Sequence, residues 1–334
     1  MVNIKDVAQL ANSSITTVSR VINKKGYVKQ ETRVKIMEAI RTLGYRPLER
    51  IEGGKDTKTI GLIVPNIENP FFGKVARHLG NVANTFGYNI LLFNINGSPE
   101  HYDDDHLFDL IHQRVDGLIY ASSHRSMEVI RAAQTHKIPI VVLDREIKNA
   151  CINSVTVNNN YGAFIATEHL IKLGHRRIAY LGGAAGMEIS MRRKEGYLRA
   201  LTENGLPVAE EYIAYGDYKM QSGFECIGRL YQEHPEITGV IAATDLMAIG
   251  ALQYFNKMGL RVAEDISLIG FDNIELSATV TPPLTTVEYP IERMSAIVID
   301  LILRQIHHEV DNGEAVVLFP KLIIRESSGM RRYE

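Results

Sequence analysis

The sequence predicts an α/β chain in which a small all-α head with a helix-turn-helix precedes a core of two doubly wound parallel-sheet subdomains. Three observations carry this. Two short segments of helical periodicity flank a polar turn near the N-terminus, basic charge is concentrated in that same stretch, and from Thr59 onward short apolar strands alternate with amphipathic helices.

In the first predicted helix Ile4, Val7, Ala8 and Ala11 fall on one face, and in the second Val18, Val21 and Ile22 do the same, so both offer apolar surface to a small shared core. Asn12, Ser13 and Ser14 between them supply turn chemistry and an N-cap. The second helix leaves Ile15, Thr16, Thr17, Ser19 and Arg20 at its N-terminal side, the part of a helix-turn-helix that enters the major groove. Arginine there can pair both acceptors of a guanine edge, and Thr or Ile can touch a thymine methyl. A plain helical hairpin would show the same periodicity, with its Ser and Thr merely capping and solvated. Charge favours the DNA-reading alternative. Residues 1–47 carry nine basic side chains against three acidic ones, a net of +6, whereas the whole chain is −2 and the remainder therefore −8. Such segregation is the footprint of a module that neutralises phosphates.

A third helix is expected from about Gln30 to Leu43, with Val34, Met37, Ala39, Ile40 and Leu43 as its buried stripe and Gly44 as its stop. The polar, Gly-containing run from Tyr45 to Asp56 reads as a linker or marginal helix. Strands then centre on Ile60–Val64, Ile90–Phe93, Gly117–Tyr120 and Ile138–Leu143, and a second series on Ser154–Val157, Arg177–Leu181, Tyr212–Tyr215, Gly239–Ala242 and Ile266–Phe271. Continuous apolar strands separated by helices mean parallel sheets covered on both faces, and their number calls for two of them. A last helix, about Ile291 to His308, and a strand from Val316 to Ile324 are expected to cross back between the subdomains.

With 45% hydrophobic residues over 334, the chain can bury a substantial core. The opening residues Met1–Asp6 lack a signal-peptide pattern and the longest apolar runs are strand-sized, so a cytoplasmic location without a membrane partner is the expectation. Cys151 and Cys226 have no metal-ligand spacing, and two cysteines in so long a chain fit a reducing compartment. The run His101-Tyr102-Asp103-Asp104-Asp105-His106 suggests a metal at first sight, but it opens a predicted helix that favours acids there. His307-His308 reads as an exposed helix end, and Gly182–Gly186 lacks the Lys and Ser/Thr of a phosphate loop. No metal or cofactor is therefore expected.

Over nearly its whole length the chain resembles the lac-repressor (LacI) family of bacterial transcription regulators. The matching segments are Ile4–Ala8, Thr17–Asn23, Arg114–Ile119, Leu173–Ala179, Thr244–Ala251 and Ile269–Asn273, in the family's order. The resemblance implies a helix-turn-helix domain at 1–46, a hinge at 47–58 and, at 59–334, an effector-binding and dimerising core like a periplasmic sugar-binding protein. Its N-subdomain would comprise about 59–157 and 290–317, and its C-subdomain about 158–289 and 318–330. Carried over, Ile15, Thr16 and Arg20 would meet base edges, while Ser14, Thr17, Ser19, Asn23 and Tyr45 would lie nearer the backbone. A homodimer reading two related half-sites implies an inverted-repeat operator, with tetramers left open. Two departures stand out. Ser13 occupies a turn position usually held by Val, and the hinge Leu48-Glu49-Arg50-Ile51-Glu52-Gly53-Gly54 replaces an Ala-rich helix. Its glycines cost helix stability and its glutamates face phosphates badly, although Leu48 or Ile51 could still intercalate.

In such a core the ligand sits outside the C-terminal ends of the strands, between the subdomains. Asn69, Phe71 and Phe72 follow the first strand, Asp144 and Arg145 the fourth; Arg193 opens a later helix, and Thr244, Asp272 and Glu288 follow strands of the second series. Each alone could cap a helix, fill a core or form a surface ion pair. Together, carboxylates that accept from hydroxyls, guanidinium donors and aromatic faces suit a neutral monosaccharide. The set is similar to that of ribose-type members, except that Thr244 stands for Asn and Glu288 for an expected Gln. The run Ala200–Val208 is similar instead to catabolite-control-type members, which answer to a phosphorylated protein partner. A sugar-processing enzyme is disfavoured, because no nucleophile–base pair, phosphate loop or metal set has readable spacing.

Overall fold

The computed structural model describes residues 4–22, 28–43, 57–95, 114–121, 126–145, 152–308 and 313–331. They fall into two compact units, Met1–Asp56 and Thr57–Glu334.

The first unit contains α1 (Ile4–Leu10), α2 (Ile15–Ile22) and α3 (Gln30–Leu43). Val7, Ala8, Ala11, Val18, Val21, Ile36 and Ala39 form its core, with Ile40 and Leu43 partly buried against it. The turn closes where Asn12 takes a left-handed φ of 47° and the Ser13 amide bonds the Ala8 carbonyl at 2.9 Å, a conformation Asn tolerates. The stripe on α3 differs from the expected one: Val34 and Met37 are 45% and 51% exposed, and Ile36 is buried instead. At about 100° per residue, Ala39, Ile40 and Leu43 all lie within about 60° of Ile36, whereas Met37 is about 100° and Val34 about 160° away. The side chains of Ile4 and Ile22, with Asn23, Tyr45, the 47–56 hinge, the 101–106 run and Cys151, lie outside the described residues.

The second unit is built on two six-stranded sheets. The first contains β1 (Thr59–Val64), β2 (Asn89–Asn94), β3 (Gly117–Tyr120), β4 (Ile140–Leu143), β5 (Asn153–Val157) and β11 (Ala315–Leu318), in the order β11-β5-β4-β3-β1-β2 and parallel throughout. The second contains β6 (Ile178–Gly182), β7 (Ile213–Tyr215), β8 (Gly239–Ala242), β9 (Ser267–Phe271), β10 (Thr285–Glu288) and β12 (Lys321–Ile323), in the order β12-β10-β9-β8-β6-β7, with only β12 antiparallel. Helices α4 (Pro70–Thr85), α5 (Ser126–Thr135) and α11 (Ile291–Ile306) accompany the first sheet. The second carries α6 (Asn159–Lys172), α7 (Glu188–Glu203), α8 (Met220–Glu233), α9 (Asp245–Lys257) and the short α10 (Glu275–Thr279). Central strands are buried on both faces, which explains their uninterrupted apolar sequences.

Among the described residues the chain passes between the sheets three times: from β5 to α6, from β10 to α11, and from β11 to β12. The single strand expected at 316–324 is thus two strands in different sheets. Phe319 and Pro320 separate them, and Pro has no N–H with which to continue a ladder. Where α6 and α7 cross, Gly196 admits the Asn160 carbonyl so closely that any Cβ would strike it. This close approach holds the start of α7, and with it Arg193, over the first crossover.

Candidate effector site and nucleic-acid interface

Two carboxylates follow the ends of strands in different sheets. Asp144 follows β4 with φ 56°, and Asp272 follows β9 with φ 107°, unusual backbone values for residues with a Cβ. Asp144 is anchored by its own amide bonding the Val155 carbonyl, and Asp272 by an equivalent bond to the Val287 carbonyl, both at 2.8 Å. Between them lies Arg193, on the first turns of α7 and only 3% exposed. Its Nε donates to Asn159 Oδ1 at 2.8 Å, Nη1 to the Ala243 carbonyl and Nη2 to Tyr289 Oη at 2.8 Å. Nη2 also lies 3.6 Å from Asp272 Oδ1, and the guanidinium stacks 3.7 Å from the Phe271 ring centre.

Burial pushes the Asp144 and Asp272 carboxyls above the usual carboxylate range, against the pull of Arg193. Behind them Asp245, at the start of α9, accepts from Thr286 Oγ1 at 2.5 Å and the Ile274 amide at 2.8 Å; burial pushes it up to about 7. Burial alone would lower the Arg193 pKa, but Tyr289 and Asp272 more than offset it and keep the guanidinium charged.

The other sequence-predicted residues divide. Phe71 is buried and meets Phe72 and Tyr289 edge to face, with centroids 5.3 and 5.1 Å away. Asn69 caps α4 by accepting from the Phe71 amide, and Thr244 caps α9 by accepting from the Met247 amide. Arg145 lies 3.8 Å from Glu188 of the other subdomain. Glu288 does not join the network: it bonds Lys321 at 2.8 Å and accepts from Asn273 at 2.6 Å. The side chain that enters in its place is the next one, Tyr289. Strand alternation is the reason, since successive residues leaving β10 point to opposite faces.

Sequence reasoning missed Tyr289, Asn159, Tyr218 and Lys74. Tyr289 Oη stands 2.9 Å from Asp144 Oδ2 and 2.8 Å from Asn159 Oδ1. Tyr218 lies over Gly183, where any Cβ would overlap its ring, and close enough to Arg193 for the guanidinium to oppose the burial-driven rise of its phenol. Lys74 of α4 donates to the Asn273 carbonyl across the cleft at 3.0 Å. Asn158-Asn159, a turn-forming pair between an apolar strand and a helix, is a signal that could have marked the first crossover; the tyrosines carry none.

In the N-terminal unit Ser14 caps α2, accepting from the Thr17 amide at 3.0 Å and bonding Thr17 Oγ1 at 2.8 Å. Ile15, Thr16 and Arg20 are exposed, with Ile15 at 45%, while Thr17 and Ser19 are half-buried. Ile15 and Thr16 open α2, whereas Arg20, expected at its N-terminal side, lies in its last turn. Among the described residues no helix is long and apolar enough to cross a membrane, and no group of three His, Cys, Asp or Glu could hold a metal ion.

Residues 3–47 match the profile of the bacterial regulatory proteins, lacI family, and residues 167–328 that of the periplasmic binding protein-like domain. Catabolite control protein A of Priestia megaterium is 37% identical over 332 residues, 98% of this chain and 99% of that protein. Among solved structures, the transcriptional regulator CelR in complex with cellobiose matches with a TM-score of 0.75 and 30% identity, covering 98% of this chain and all of the other. The lac repressor dimer bound to operator and the anti-inducer ONPF matches with a TM-score of 0.73 and 28% identity, covering 98% and 99%. With its DNA-binding helices, two-sheet core and end-to-end relatives in one order, the chain belongs to the LacI family of bacterial transcription regulators.

Proposed function

We propose that this regulator is a sugar-responsive repressor, in which a small neutral polyol bound between the two sheets changes how a homodimer holds an inverted-repeat operator. The observation that carries it is the buried constellation of Asp144, Arg193 and Asp272, contributed by both subdomains and flanked by Phe71 and Phe271. Carboxylates accept from sugar hydroxyls, the guanidinium donates to them, and aromatic faces cover a pyranose or furanose ring. Asp272 beside Arg193 offsets the charge of that guanidinium, which favours neutral effectors over phosphorylated ones. That the structurally similar CelR was solved with cellobiose supports a sugar, without selecting which. Asn69, Phe72, Arg145, Thr244 and Glu288 then act as supports at the rim and floor. Ile15, Thr16 and Arg20 read bases, and Ser14, Thr17, Ser19, Asn23 and Tyr45 lie along the phosphates. A hundredfold change in operator affinity corresponds to about 2.7 kcal/mol of coupling, within the usual allosteric range.

A second reading, control through a phosphorylated protein partner, draws on the 37% identity to catabolite control protein A and the 200–208 run. A thermal-shift panel of pentoses, hexoses and their phosphates, followed by anisotropy on a palindromic oligonucleotide, separates the two. The sugar reading expects a saturable rise in melting temperature with a neutral sugar and a parallel change in operator affinity. Indifference to every sugar would favour the partner-driven reading.

A further inference from the structure

Tyr289 is the first residue after β10, at the point where the chain crosses from the second sheet to α11 on the first. Its side chain is 2% exposed, and its hydroxyl meets groups from three different places. Asp144 Oδ2, at 2.9 Å, belongs to the end of a strand in the first sheet; Asn159 Oδ1, at 2.8 Å, belongs to the first crossover; Arg193 Nη2, which donates at 2.8 Å, belongs to a helix on the second sheet. The ring is held edgewise between Phe71 of α4, at 5.1 Å, and Phe271 of β9, at 5.9 Å, so aromatic contacts also come from both sides. A hydroxylated six-membered ring that exchanges hydrogen bonds with a carboxylate, an amide and a guanidinium between two aromatic side chains is what an effector sugar would look like in this cleft.

We propose that Tyr289 is a built-in ligand: its hydroxyl ties the two subdomains together in the absence of effector, and an effector must displace it to engage Asp144 and Arg193. The idea rests on the reading of this cleft as the effector site and specifies how that site is regulated. Tyr289 has one proton to share between Asp144 and Asn159, and burial holds the phenol neutral, so the proton stays available for that bond. The contacts of Lys74 with the Asn273 carbonyl and of Arg77 with Glu275 lie on a more exposed part of the same closure and are open to water. The Arg145–Glu188 pair is about one-third exposed, whereas the Tyr289–Asp144 bond is buried on the Tyr289 side and made to a carboxylate.

The test is the width of the cleft in the ligand-free, full-length protein, which needs neither sugar nor DNA. Nitroxides at Glu68→Cys, in the loop after β1, and Leu276→Cys, on α10, report it by dipolar spectroscopy in a Cys151→Ser, Cys226→Ser background. Labelled chain is diluted with unlabelled chain so that only distances within one protomer register. With Tyr289 intact a single short-distance population is expected. Tyr289→Phe keeps the ring and removes only the hydroxyl, and should raise the long-distance population about tenfold. Asp144→Asn, which keeps the shape but weakens the partner, should move the distribution in the same direction by less, and carries the comparison by itself if the phenylalanine variant does not fold. Unchanged distances in folded variants, even with a lowered melting temperature, would mean that Tyr289 is only structural and would overturn the proposal. A protein that opens as expected yet ignores every sugar would refute the effector reading while leaving the latch in place.

Discussion

Asp272 and Arg20 are the residues whose chemistry is easiest to separate from their structural surroundings. Asp272 is turned towards Arg193 by a left-handed backbone, 3.6 Å from Nη2, whereas Arg20 is exposed on α2 in a different unit. Asp272→Ala is expected to abolish the effect of sugar on operator affinity while leaving sugar-free binding intact; loss of that basal binding in a folded variant would contradict the assignment. Arg20→Ala should cost about 1–3 kcal/mol of affinity for operator and little for scrambled DNA, if it reads a guanine. Competition experiments with both oligonucleotides measure the difference. Asp245 makes a prediction about pH. Its folded pKa, up to about 7, lies above its ordinary 3.8, so between those values the folded state holds a proton that the unfolded state has released. Its contribution is therefore present below about pH 4, is lost as pH rises towards about 7, and is constant beyond. Thermal melts of Asp245→Asn at pH 5 and pH 8 should differ less than those of the parent, because the amide cannot ionise and can still serve Thr286 and the Ile274 amide. An equal pH slope in both proteins would remove Asp245 as the cause.

At the scale of elements, few side chains are buried among the described residues of the N-terminal unit. Ile36 is fully buried beside Val7, Val18 and Val21, with Ala8, Ala11 and Ala39 filling the rest. Ile36→Ala should cost about 2–5 kcal/mol, comparable with the whole stability of so small a core. Operator binding should then collapse while the melting of the two-sheet unit is unchanged, which calorimetry and anisotropy resolve together. The sequence identified the three helices from their periodicity and caps but selected Val34 and Met37 for the interior of α3. Two apolar residues outside the true stripe are enough to mislead, because periodicity records which residues are apolar and not which direction the neighbours lie. The strands of the core were easier to locate, since a parallel strand covered on both sides is apolar at nearly every position.

For the whole molecule the governing feature is charge: +6 on residues 1–47 and −8 on the rest. Operator affinity should fall steeply and linearly with salt on logarithmic axes, with a slope of several units, because each neutralised phosphate releases condensed counterions. Filter binding between about 50 and 200 mM salt gives the slope; a flat dependence would show that the basic residues do not face the duplex.

The sequence by itself determined the order of the parts, the class of each sheet, and the positions of Asp144, Arg193 and Asp272 near strand ends or helix starts. These are local properties, set by periodicity, caps and strand boundaries that neighbouring residues encode. Tertiary structure decided which of those groups meet. Glu288 and Tyr289 are adjacent in the chain, yet one turns to Lys321 and the other to Asp144, 145 positions away. That choice follows from the face on which β10 ends and from three crossovers between two sheets, a geometry that exists only once strands far apart in sequence have paired.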